Sequence, residues 1–246
     1  MLFRSAAILR TATVQALAYA RQRQAFGKVL AQQPLMRSVL VDLALESEAA
    51  MHFSMRLAQA LEQESDPLQQ AWKRILTPAA KFWVCKRTVA LTAEAMEVMG
   101  GNGYVENSVM ARLLREAPVN SIWEGSGNIM CLDVLRAVAR DPDSAALLLG
   151  DLLQQSAGEP ALQKTLQDLA AALHQPAALQ EAQARHWVQQ LVLVAQACLL
   201  LQHAPAVVAQ AFVRSRLLAS RGGWVVGTLE LQDGDVDAIL QRALPQ

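Results

Sequence analysis

GGNGYVENSVMARLLREAPVNSIWEGSGN, residues 100–128, is the stretch on which the reading of the whole chain turns. It carries five of the twelve glycines. Gly100, Gly101 and Gly103 open it, and Gly125 and Gly127 flank the end of a loop with a single glutamate, Glu124. Glycine-rich turns set between helices are places where backbone can approach a ligand closely. Everything before the stretch, and nearly everything after it, reads as amphipathic helix.

Upstream, Ala7, Ile8, Val14, Leu17 and Ala18 recur at helical spacing across residues 5–23. Arg21, Arg23 and Lys28 then surround Phe26-Gly27. Such cations suit a helix C-terminus. Read more sharply, they form an anion clamp, with Arg23 reaching a diphosphate and Phe26 packing on a flat ring system. Pro34, at a tolerated first-turn position, opens a helix to about residue 63, with Leu35, Val39, Leu43, Leu45 and Met51 among its expected buried residues. Ser65-Asp66-Pro67 is a break. Residues 68–99 continue as helix, broken or kinked near Thr77-Pro78 because that proline removes a hydrogen bond. Trp72, Phe82 and Trp83 are expected core or interface anchors.

Downstream, Ile129, Leu132, Val134, Leu135 and Val138 carry a helix to Asp141-Pro142. Helices over 143–155, 161–173, 178–202 and 205–219 follow, punctuated by Pro160, Pro176 and Pro205. Turns are expected at Gly222-Gly223 and Gly234, before a short apolar helix. The expected fold is all-α: an antiparallel four-helix bundle over 1–140, then an additional C-terminal helical layer over 141–246.

Composition sets the outer bounds. A chain of 246 residues, 53% hydrophobic and 18% charged, can bury a real core. With 22 basic and 22 acidic residues it is not built as a polyanion binder. Cys85, Cys131 and Cys198 are scattered, as are the four histidines. They read as reduced, buried thiols of a cytoplasmic protein, with no metal site expected. There is no apolar run long enough to span a membrane and no signal-peptide pattern. The chain opens directly into a helix, which suggests a fragment of something longer.

Three ordered motifs, RQRQAFGKVL (21–30), AMEVMGGNGYVE (95–106) and LLREAPVNSIWEGSGNIMCLDVLR (113–136), resemble the C-terminal helical domain of acyl-CoA dehydrogenases, nearest to the AidB-like branch associated with alkylation damage. The resemblance covers essentially the whole chain. It implies FAD as cofactor, acyl-CoA as substrate, and Glu124 as the base that removes the α-proton while hydride passes to the flavin. Trp123 and Gly125 would lie beside the substrate. Ser126 and Asn128, opening a helix, would meet the flavin, although Ser126 also suits an N-cap. Arg23, Phe26, Gly100 and Gly101 match residues that hold the flavin of a neighbouring subunit, with Gln33 as the displaced counterpart of a glutamine expected at the end of the clamp loop, so a homo-oligomer, dimer or tetramer, is implied. Departures are Ala25 after the clamp, Glu97 before the glycine pair, and Asn128 in place of a longer amide.

Two other readings stay open. One is a DNA-associated protective protein with low dehydrogenase flux, for which Arg214, Arg216 and Arg221 are the candidate duplex contacts. From Glu159 onward, however, six basic residues face seven acidic ones, and those arginines read first as a solvated helix face. The other is an oligomerisation module without chemistry, against which Arg23, Glu124 and the Gly-Ser-Gly loop count.

Overall fold

Pro34, Pro67, Pro142 and Pro160 each sit in the first turn of a helix, where no intrahelical N–H is required. The computed structural model of the chain describes residues 1–63, 65–218, 226–228 and 231–244. The described residues are almost entirely helical, as expected. The elements are α1 (Leu2–Gln22), a hairpin of β1 (Gln24–Ala25) and β2 (Lys28–Val29), α2 (Pro34–Glu62), α3 (Pro67–Ala71) and α4 (Thr77–Val98). Then come α5 (Gly101–Tyr104), α6 (Val109–Ile122), α7 (Gly127–Arg140), α8 (Pro142–Gln155), α9 (Pro160–Ala172), α10 (Ala177–His203), α11 (Ala206–Val213) and α12 (Asp233–Ala243).

The bundle is organised on α4, which packs against α1, α6, α7 and α2. Ala12, Ala16 and Ala20 form a fully buried small-residue stripe on α1. Four-residue spacing keeps them on one face, where a neighbouring helix can come close. The expected kink before Pro78 is present as a widened turn over Trp72–Leu76, which absorbs the hydrogen bond the proline cannot make.

The C-terminal helices cover the bundle. α10 packs on α2, α4 and α7 from within, and on α8, α9 and α11 from without. Its residues Leu191 to Leu200 are therefore buried all round. The eight residues Leu40–Ser47 of α2 are buried in the same way, since α10 and α12 close the side the bundle leaves open. One continuous apolar core joins both stretches. Polar ties reinforce it: the Trp72 indole N–H donates to Asp151 at 2.8 Å, Arg37 pairs with Asp237 at 2.7 Å, and Arg10 donates to the carbonyl of Ala243 at 2.8 Å.

Four expectations need correcting. Residues 109–122, taken with the glycine turns, form a helix of their own, α6, capped by Ser108 and continuous through Pro118. Leu35 is 80% exposed and Met51 is also exposed, because the buried stripe of α2 does not run through them. Gly234 lies inside α12, not in a turn. A two-residue hairpin follows α1 where no strand was expected. The Gly222-Gly223 turn lies outside the described residues.

Candidate functional site

Glu124 is a left-handed residue, φ 62°, and Gly125 after it has φ 108°. Left-handed backbone costs a residue with a Cβ about 1–2 kcal/mol. Among the described residues only one other non-glycine, Phe26 at φ 53°, adopts it. Both had been singled out from the sequence. The Glu124 side chain is 62% exposed and lies beside the start of α1. It borders a groove of about 570 Å³ whose walls include Leu61, Pro78, Met130 and the side chain of Lys81. Arg74 and Asp133 form a 2.9 Å ion pair on its rim. Trp123 and Ile122 stand exposed beside it.

The loop is held from beneath. Lys81, on α4 and 5% exposed, donates to the carbonyls of Ser121 (3.5 Å) and Gly125. A charge-assisted bond such as that to Gly125 is worth about 1.5–3 kcal/mol, comparable to the cost of the left-handed backbone. Burial pulls the Lys81 pKa below the usual lysine range, against the attraction of Cys85 and Glu124. Sequence reading passed over Lys81. Its one signal was a lysine set among apolar residues in AAKFWVC.

Ser126 occupies the N-cap of α7, but its hydroxyl makes no cap bond. Gly127 is buried, and a Cβ there would come within 2.8 Å of Lys86 and 3.3 Å of Phe82. Asn128 faces a different cleft, between α7 and α10, with Arg185 opposite.

The second cluster lies at the far end of α1. Arg23, Gly100 and Gly101 line one groove of about 370 Å³ with Tyr19 and Glu97. The clamp sequence folds as a two-residue hairpin, with Phe26-Gly27 left-handed at both turn positions, the twist that tight hairpins require. Phe26 is 98% exposed at the tip. Gln33 donates its side-chain N–H to the Ala25 carbonyl at 2.9 Å, tying the hairpin to the start of α2. Neither Gly100 nor Gly101 has an atom within 4 Å of where a Cβ would stand. Met1 lies against Glu124 and Arg23 follows the last residue of α1, so the helix separates the clusters by about 30 Å at 1.5 Å per residue.

Of the arginines considered as DNA contacts, the two that are described, Arg214 and Arg216, are each engaged by carboxylates of the chain itself. Arg214 pairs with Asp235 at 2.7 Å. Arg216 is 4% exposed, bonded to Asp42 and, at 3.1 Å, to Glu46, and so cannot meet a phosphate. Arg221 lies outside the described residues. All three cysteines are buried and unpaired, as expected, and burial raises the Cys131 and Cys198 thiols to about 11 and about 12. Among the described residues there is no metal-ligand cluster and no helix long and apolar enough to cross a membrane. A more enclosed cavity of about 430 Å³ between α9 and α10 contains none of the candidate catalytic, cofactor or DNA residues.

A sequence profile of the acyl-CoA dehydrogenase C-terminal domain matches residues 1–139. The putative acyl-CoA dehydrogenase AidB of Escherichia coli (strain K12) is 42% identical over 219 residues, covering 89% of this chain and 40% of that protein. Among solved structures, the apo-form of Bd2924 matches with a TM-score of 0.74 at 32% identity, over 81% of this chain and 40% of its own. Caenorhabditis elegans ACDH-11, solved in complex with C11-CoA, has a TM-score of 0.74 at 22% identity, over 98% of this chain and 41% of its own, a likeness of fold. The chain thus spans about two fifths of these relatives. It belongs to the acyl-CoA dehydrogenase family, with residues 1–139 forming that family's C-terminal helical domain.

Proposed function

We propose that this chain is the C-terminal part of an FAD-dependent acyl-CoA dehydrogenase-type oxidoreductase in which Glu124 removes the α-proton of an acyl-CoA. The observation that carries this reading is the Glu124 geometry: a carboxylate held on left-handed backbone, exposed above a groove with apolar walls. Strained, exposed side chains of this kind are characteristic of functional positions. The thioester acidifies the α-carbon enough for a carboxylate base, and FAD, when bound, supplies the hydride acceptor.

The residues present fit that cofactor. The Ser126 hydroxyl and the first N–H groups of α7 are donors without a cap. Arg23 and the bare Gly100-Gly101 backbone offer a cation and close approach for a diphosphate. The span of α1 exceeds the ribityl chain joining a flavin ring to its diphosphate. Glu124 and Arg23 of one chain therefore serve different flavins, and the protein acts as a homo-oligomer.

The test is Glu124→Gln in the full-length protein, followed by anaerobic flavin bleaching with a saturated acyl-CoA. Bleaching should be abolished with flavin content unchanged. Retained bleaching would remove Glu124 from the role.

A further inference from the structure

We propose that Lys81 is the positioning residue of the Glu124 loop: its buried ammonium, bonded to the carbonyls of Ser121 and Gly125, fixes the backbone that presents the Glu124 carboxylate to the groove. The proposal rests on the reading of Glu124 as base.

The two carbonyls lie on either side of Glu124. Ser121 belongs to the last turn of α6, where a lysine commonly satisfies carbonyls left without a helical donor. Gly125 lies beyond the helix, so a bond to it gives the helix end nothing. Its effect is to clip the loop shut across Ile122, Trp123 and Glu124. The bonds to carbonyls on both sides make Lys81 an anchor of the main chain.

The surroundings explain why this anchor is a lysine. A buried ammonium is unfavourable unless acceptors satisfy it, and a charged donor holds carbonyls more strongly than a neutral one. Gly125 is also closed in from its other side, since a Cβ there would lie 2.4 Å from Met130 Cε. The loop is gripped between α4 and α7. The charged and titratable groups around Lys81 include Glu124, Cys85 and Lys86, with Lys73, Arg74 and Asp133 on the groove it lines.

Full-length protein with Lys81→Met, Lys81→Gln and Lys81→Arg distinguishes positioning from bulk packing. In Lys81→Met, single-turnover flavin reduction by a saturated acyl-CoA should fall about 10²-fold, the usual consequence of slight misplacement of a reacting group. Acyl-CoA affinity and flavin content should stay as in the wild type. Amide hydrogen exchange should accelerate over residues 121–127. Lys81→Arg should recover most of the rate and the protection, and Lys81→Gln, which keeps a neutral donor, should fall between. Wild-type rate and protection in Lys81→Met would overturn the proposal. So would wild-type behaviour in Lys81→Gln should the methionine variant fail to fold. A wild-type protein that is not bleached by acyl-CoA defeats the reading of Glu124 as base, while the exchange data still decide whether Lys81 holds the loop.

Discussion

At the scale of single residues, the two left-handed side chains and the two bare glycines say most about function. Gly101 has helical backbone and open space where a Cβ would stand. Within its own chain, alanine there should be tolerated or stabilising, by roughly 0.5–1 kcal/mol. Its cost appears only if something from outside comes close. Gly101→Ala in the full-length protein should therefore keep or raise the unfolding midpoint, yet lower flavin occupancy. Occupancy equal to wild type would show that no cofactor approaches this backbone. Glu124 and Phe26 were legible in the sequence because their motifs are local. Lys81 was not, because a lysine in a helical repeat reads as surface until the fold brings carbonyls to it.

At the scale of elements, helices with proline or glycine at their ends could be read closely, and α2 begins at Pro34 and ends near residue 63 as expected. The same reasoning concealed α6, whose interior Pro118 and flanking glycines resemble loop. Nor could it foresee which side of α2 would be covered. That depends on Arg216, which reaches Asp42 across 174 positions of sequence. Glu46 completes this cluster, with Arg87 at 3.2 Å and Arg216 at 3.1 Å. Burial raises the Glu46 pKa, but the two arginines outweigh it and hold it below the ordinary glutamate value.

The sign follows directly. A carboxylate with a lowered folded pKa contributes stability that is complete above its unfolded pKa, about 4.3. That contribution is lost as pH falls through the lower, folded value. Thermal midpoints should thus hold steady near neutrality and drop below about pH 4.3, with a shallower acid slope in Glu46→Gln. Removing the shared cation is more severe. Arg216→Met leaves two buried carboxylates short of a partner and should destabilise the protein by about 3–5 kcal/mol, measurable as a lowered denaturant midpoint. A midpoint within 1 kcal/mol of wild type, on the same scale, would mean that the cluster contributes little.

At the scale of the whole molecule, the separation of the two clusters along α1 is decisive. On the proposed reading, in which Glu124 and Arg23 serve different flavins, two inactive variants should rescue one another. Co-expressed Glu124→Gln and Arg23→Ala chains form a mixed pair in which one site has both groups intact and the other has neither. Each variant alone has no complete site. Recovery of acyl-CoA-dependent bleaching in the isolated mixed pair, towards one active site per pair, is the expected result. No recovery would place both groups in one site of one chain and contradict the reading.

The buried alanines of α1 then acquire a genetic meaning. Ala12, Ala16 and Ala20 are fully buried on this helix, and on the proposed reading its two ends serve different catalytic centres. A bulky substitution at Ala16 would push α1 off α4, the helix that carries Lys81, and would disturb the clamp at the other end of α1. In a mixed pair of one normal and one altered chain, such a lesion would compromise both centres, leaving about a quarter of randomly formed pairs intact. On the same reading, loss of Glu124 alone would silence only one centre of such a pair.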